Sequence, residues 1–349
     1  MPTHPSALHD APTPPPEAAT RAGVRGPATM RAMVHDVYGA PEILALRDVA
    51  VPAVGPRDVL VRVHAAALHV GDCFGVRGSP LLMRMATGLW RPRGGVPGFD
   101  LAGRVASVGE RVTTLRPGDE VFGARPGTCA EYVTAREDQL APKPARLTFE
   151  EAAAMPTSAV AALLGLRDAG RVKPGHKVLI NGASGGVGTF AVQIARALGA
   201  EVTGVCSTRN VDLVRALGAD HVVDYTREDF TRSGPYDVVL DNVENRSLSE
   251  CRRALAPRGT LVLNSGTGSR GIGLLVRLLK PLALSPFVRH DLRRFLAVPR
   301  HADLVALTEM IDGGKLRPVI DRTYPLAETA AALRHIETGH ACGKVVITI

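Results

Sequence analysis

In the first half of the chain, apolar and polar positions alternate with a period of two in short runs broken by turns. Val59-Leu60-Val61-Arg62-Val63 reads as a half-buried strand, and Met30 to Val34 as another. Gly55-Pro56, Gly94-Gly95 and Pro117-Gly118-Asp119 supply turns. Short strands between such turns, from Met30 to about Pro156, predict a compact, barrel-like, mostly β domain. The period changes from Gly175. Lys177-Val178-Leu179-Ile180 reads as a buried strand, and Thr189 to Leu198 as a helix with Phe190, Ile194 and Leu198 along one face. Next come strand Glu201 to Val205, helix Val211 to Leu217, strand His221 to Val223, strand Tyr236 to Leu240, helix Leu248 to Leu255 and strand Thr260 to Leu263. Strands alternating with helices predict a doubly wound parallel sheet, so the fold class is α/β. A helix from Leu304 to Ile311 and a strand from Lys344 to Ile349 close the chain, and that strand is expected to rejoin the first domain.

Composition narrows the function classes. A chain of 349 residues suits two domains of roughly 150 residues each. The formal charge is +8, but Lys and Arg form no basic stripe interleaved with aromatics, so nucleic-acid binding is not expected. Cys73, Cys129, Cys206, Cys251 and Cys342 lie far apart with no C-x-x-C pair, which points to free thiols in a reducing, cytoplasmic setting. No uncharged apolar run reaches the roughly 20 residues of a membrane span. Gly271 to Val288 comes nearest, but Arg277, Lys280 and Pro281 interrupt it, and it reads as a lid or packing helix. Residues 1–29 are rich in Pro, Ala and Thr without apolar periodicity, and predict a disordered tail with no secretory core.

The strongest motif is Asn181-Gly182-Ala183-Ser184-Gly185-Gly186-Val187-Gly188, between a predicted strand and a predicted helix. Glycines there permit a tight reversal, close approach of backbone to a pyrophosphate and close packing of helix on strand. The helix start then offers free N–H groups and a positive dipole end to phosphate. At the end of the next strand, an Asp or Glu would bond the ribose hydroxyls of NAD and repel a 2′-phosphate. Ser207, Thr208, Arg209 and Asn210 follow Cys206 instead, which favours NADPH.

In this combination the residues resemble the medium-chain dehydrogenase/reductases, specifically the zinc-independent quinone oxidoreductase-like branch. The resemblance spans about Met30 to Ile349. It rests on Gly98-Phe99-Asp100-Leu101-Ala102-Gly103-Arg104-Val105, Val108-Gly109, Pro117-Gly118-Asp119-Glu120-Val121-Phe122-Gly123 and Ala130-Glu131-Tyr132-Val133, together with the glycine turn, Leu217-Gly218-Ala219-Asp220 and Gly343-Lys344-Val345-Val346. It implies a GroES-like catalytic domain over 30–155 completed by about 300–349, a Rossmann NADP-binding domain over 156–299, and a homodimer. It places His69, Phe99 and the Met155-Pro156-Thr157 region at the zinc-ligand positions of zinc-dependent relatives; one imidazole does not make a zinc site, so no metal is expected.

His69 stands where the zinc-free branch commonly has Asn. It is read either as a hydrogen-bond or proton donor to substrate or as a buried His bonded to Asp72 or backbone. Asp72 is read as orienting His69 or capping a turn. The resemblance also implies cofactor contacts for Tyr225, beside the 2′-phosphate, and for Lys344. Thr157 is a candidate to replace a Thr hydroxyl lost at Ala161, and Asn242, Val243, Ser265 and Gly266 lie at strand ends on the ligand-binding edge of the sheet. The implied reaction is hydride transfer from NADPH to a small-molecule acceptor, a quinone or α,β-unsaturated carbonyl. A metal-free alcohol or aldehyde reductase and a non-catalytic NADPH-binding protein remain open. Arg77, Arg84, Arg91 and Arg93, near the expected substrate pocket, hint at an anionic or polar group.

Overall fold

The computed structural model describes residues 27–79, 81, 83–264 and 288–349. Ser265, Gly266, most of Gly271 to Val288 and nearly all of the expected tail therefore lie outside the described residues.

Strands β1 (Thr29–Val34) and β2 (Ala45–Ala50) form an antiparallel hairpin. The predicted Val59–Val63 strand is the centre of a longer one, β3 (Asp58–Leu68), whose continuation Ala65, Ala66, Ala67 is buried on both faces and shows no alternation to read. Strand β3 leads into a helix the sequence reading passed over, α1 (Val70–Arg77). Strands β4 (Asp100–Val108), β5 (Glu120–Ala124), β6 (Tyr132–Arg136) and β7 (Leu140–Pro142) complete this half. Helix α2 (Pro156–Leu164) begins on a proline whose fixed φ suits the first helical position.

The parallel region follows as β8 (Lys177–Asn181), α3 (Gly186–Ala197), β9 (Glu201–Cys206), α4 (Val211–Ala216), β10 (His221–Asp224), β11 (Tyr236–Asp241), α5 (Leu248–Arg253), β12 (Leu255–Leu263) and β13 (Asp291–Arg294). All neighbours in this sheet pair in parallel, in the order β10-β9-β8-β11-β12-β13. The order reverses between β8 and β11, and it is beyond the carboxyl ends of strands at such a point that doubly wound sheets hold ligands. The chain closes with α6 (His301–Asp312), β14 (Ile320–Pro325), α7 (Thr329–Glu337) and β15 (Lys344–Thr348). Strand β15 lies between β14 and β3, giving the seven-stranded sheet β14-β15-β3-β4-β5-β7 with β6 paired to β3.

One apolar cluster joins the two sheets. Ala65, Ala67 and Val346 from the mixed sheet meet Ala159, Val160 and Leu163 of α2, and the cluster runs on to Val178, Ile180 and Phe190. Burying side chains of Val, Leu or Phe size is worth about 1.5–3 kcal/mol each, so α2 is a stiff joint between the halves. The cleft opens beside it.

Candidate active site

The turn after β8 is built by steric exclusion. Gly182 has φ +78°, and a Cβ there would lie 2.7 Å from Val243 Cγ2. A Cβ on Gly188 would lie 2.0 Å from the carbonyl oxygen of Gly182, so the first turn of α3 packs directly on the strand end. Gly185 is different: φ is −81° and the nearest atom to an added Cβ is 3.4 Å away. Gly185 and Gly186 line a cleft of about 930 Å³, and a Cβ on Gly186 would lie 3.3 Å from Lys344 Cδ. A glycine-floored cradle at the start of a twelve-residue helix fits a dinucleotide pyrophosphate.

The cleft brings together most of the residues singled out from the sequence. Gly182, Ser184, Gly185, Gly186, Val187 and Gly188 line it, with Ser207, Arg209, Asn210 and Tyr225 at one end and His69, Asn242, Val243 and Lys344 elsewhere on its wall. Asn210 donates to Ser184 Oγ at 2.9 Å, tying the tip of β9 to the glycine turn. Arg209 reaches over to donate to the carbonyl of His340 at 2.8 Å. Tyr225 is 49% exposed at the cleft.

Four singled-out residues point elsewhere. Ala183 is fully buried beneath the turn, against Gly204 of β9. The Thr208 hydroxyl donates to Asp224 Oδ2 at 2.5 Å, so it is not free for phosphate. That hydroxyl, with those of Thr226 and its backbone N–H, holds the Asp224 carboxyl below the usual range and keeps it a satisfied anion at the tip of β10. Thr157 is likewise committed, donating from its backbone and hydroxyl to Asp100 Oδ1. Asp72 accepts from His69 N at 2.8 Å and Gly98 N at 3.1 Å, fastening backbone, and its Oδ2 also lies 3.5 Å from the imidazole Nδ1. Burial raises the Asp72 pKa.

His69 is the N-cap of α1: its Nδ1 accepts from Gly71 N at 3.0 Å. Gly71 has to be glycine for this, because a Cβ would lie 2.6 Å from the imidazole Cε1. With Nδ1 as acceptor, the neutral ring carries its proton on Nε2. No described residue bonds Nε2, and the side chain is 24% exposed on the cleft wall.

Lys344, expected to contact the cofactor, is the buried centre of a polar group behind the cleft, whose other members the sequence reading passed over. Lys344 Nζ donates to Asp100 Oδ2 and Ser158 Oγ, both at 3.1 Å, and links β15, β4 and α2. Asp100 is an acid inside an apolar run, and that was the available signal. At the end of β8, Asn181 Nδ2 donates to Asp241 Oδ1 and Asn245 Oδ1. Cys206 lines the cleft, but burial pushes its thiol up to about 11, so it is protonated at neutral pH.

The donor set does not suit zinc. Phe99 cannot ligate, Thr157 is spent on Asp100, and no three His, Cys, Asp or Glu among the described residues are grouped to hold a metal ion.

Residues 55–145 match the family model for the alcohol dehydrogenase GroES-like domain, and 217–347 match the one named zinc-binding dehydrogenase. The chain is 35% identical over 357 residues to the mouse (Mus musculus) NAD(P)H oxidoreductase RTN4IP1, mitochondrial, covering 92% of this chain and 89% of that protein. It is 31% identical to the 2-methylene-furan-3-one reductase of Solanum lycopersicum, covering 95% of this chain and 82% of the relative. The quinone oxidoreductase structure from Coxiella burnetii superposes with a TM-score of 0.81 at 31% identity, covering 92% of this chain and 99% of that one.

Proposed function

This chain belongs to the medium-chain dehydrogenase/reductase family, in its quinone oxidoreductase-like branch, and from that premise we propose that it transfers hydride from NADPH to a quinone or an α,β-unsaturated carbonyl without a metal. That it is an oxidoreductase using a nicotinamide cofactor follows from its relatives. The finer reading is carried by one observation: the glycine cradle and the unbonded edge of His69 line the same cleft.

A reduced nicotinamide held there supplies the hydride. The chain's own residues do the rest. Gly185 and Gly186 let the backbone approach the pyrophosphate, and α2 with the shared core fixes the distance between the halves. His69, its Nδ1 committed to Gly71, is a preset Nε2–H donor to an oxygen gaining negative charge. A hydrogen bond without a metal Lewis acid suits conjugated acceptors, in which charge delocalises onto that oxygen. The tomato relative is named for such an acceptor.

NADPH is favoured over NADH because the tip of β9 carries no carboxylate and Arg209 stands there as a cation. Asp224 keeps its charge, but its oxygens are occupied by Thr208 and Thr226 and Arg227 lies 3.6 Å from Oδ2, so they are not free to bond ribose hydroxyls. We assign residues 30–155 with about 300–349 to the catalytic domain, 156–299 to nucleotide binding, and a homodimer in the cytoplasm to the whole. Five free thiols support a reducing compartment.

The test is steady-state NADPH oxidation against quinones, enones and simple aldehydes, with alcohol oxidation in reverse. Conjugated acceptors should be turned over fastest. His69→Ala should lower kcat by about a hundred-fold, and His69→Asn, which keeps an N–H donor, should recover most of it. Plain alcohols oxidised as fast as the best enone is reduced, or a His69→Ala enzyme of full activity, would sink the reading.

A further inference from the structure

Among its described residues, the segment from Ser79 to Arg93 is built inside out. Its polar groups face the protein: Tyr38 donates to Gly88 O at 2.6 Å and bonds Thr87 Oγ1 at 2.8 Å. Arg84 donates to Gly78 O at 2.9 Å and lies over the Tyr38 ring, and Arg93 N donates to Thr87 O at 2.6 Å. Four described apolar side chains face water, with Leu81 72% exposed, Met85 73%, Leu89 58% and Trp90 86%. Four large apolar groups within ten residues form a patch of the kind that marks an interaction site.

The segment's own charges have one sign. Residues 73–99 contain Arg77, Arg84, Arg91 and Arg93 and no Asp or Glu. Arg77 is paired with Glu337, but Arg91 and Arg93 are exposed and form no ion pair among the described residues. Asp36, the carboxylate on which Arg91 acts, already holds Arg47. Exposed Trp, Leu and Met flanked by unpaired arginines match an anionic lipid surface, where apolar groups enter the headgroup boundary and guanidinium groups meet phosphate.

We propose that residues 79–93 dock the protein on an anionic membrane surface. The segment follows α1, whose Val70, Phe74 and Arg77 line the cleft. Docking therefore sets the cleft wall near the lipid, where apolar acceptors concentrate.

Trp90 is the only tryptophan, so emission excited at the red edge of absorption, where tyrosine does not absorb, reports this segment alone. Vesicles of phosphatidylcholine mixed with phosphatidylglycerol should shift that emission to the blue and sediment the protein, whereas phosphatidylcholine alone should do so weakly. Arg91→Gln and Arg93→Gln should each weaken binding about five-fold. The triple variant Leu81→Ser, Met85→Ser, Leu89→Ser should stay in solution while keeping its circular dichroism and its cofactor binding. Quenching of wild-type Trp90 by lipids brominated on the acyl chains needs no substitution, so the outcome does not depend on how the variants fold. Unshifted and unquenched Trp90 on anionic vesicles overturns the proposal. So does a blue shift that grows with protein concentration without lipid, which assigns the patch to a second copy. The vesicle measurements contain neither cofactor nor acceptor, so their outcome is separate from that of the turnover assays.

Discussion

Lys344 is a fully buried cation, and a buried charge is tolerated only when its partners replace water. Asp100 and Ser158 do so here, and Asp100 also fastens Thr157. Removing one member of such a pair leaves the other charge uncompensated, which costs about 3–5 kcal/mol. Asp100→Ala should therefore lower the denaturation midpoint sharply. The double change Asp100→Leu with Lys344→Met should regain much of the loss, because it removes both charges. Equal stability of wild type and Asp100→Ala in urea titration would refute this. The pair was out of reach of sequence reading for a plain reason: its members are 244 positions apart and meet only when β15 returns beside β3. His69 was legible as a site residue because its type and position are unusual, but its tautomer was not, since Gly71 N–H decides it. Thr208 and Thr157 were read as free hydroxyls because their acceptors, Asp224 and Asp100, lie on other strands.

Among the elements, the strand, turn and helix from Lys177 to Ala197 were the most legible, because the glycines that permit the turn also exclude other residues from it. Two of those glycines have different duties, and substitution separates them. Gly188→Ala drives a Cβ into the Gly182 carbonyl and must push α3 off the sheet, so it should destabilise the protein by more than the roughly 1–3 kcal/mol of ordinary overpacking. Gly185→Ala meets nothing closer than 3.4 Å, so the fold should keep its thermal midpoint. Under the proposed placement of the pyrophosphate over Gly185, the added methyl group should weaken NADPH binding, measured by fluorescence, at least ten-fold. A Gly185→Ala protein that binds NADPH normally would show that the cradle is not used. Helix α1 was missed for the opposite reason: Val70 to Arg77 contains two glycines and little apolar periodicity. Its start is set by a capping box between His69 and Asp72, which an isolated window does not weigh.

Across the whole molecule, the two sheets are held together by α2, by the crossing of Lys344 and by the backbone bond from Gly343 N to Ser184 O at 2.9 Å. A ligand lying along the cleft touches both halves, so it stabilises them as one unit, by RT ln(1 + [L]/Kd) when it binds only the folded chain. At a hundred times Kd that is about 2.7 kcal/mol, which for a chain of this size raises Tm by about 4 °C. NADPH should give that shift as a single transition. NADH at the same concentration should give a smaller one, since Arg209 then meets no 2′-phosphate. In Arg209→Ala the two shifts should converge, and because Arg209 also spans the cleft to the His340 carbonyl, the unliganded variant should melt slightly earlier. Scanning calorimetry decides between these outcomes. Equal NADH and NADPH shifts in the wild-type protein would remove the role given to the tip of β9. Two separate transitions, only one of them moved by cofactor, would mean that the joint formed by α2 and the shared core does not couple the halves.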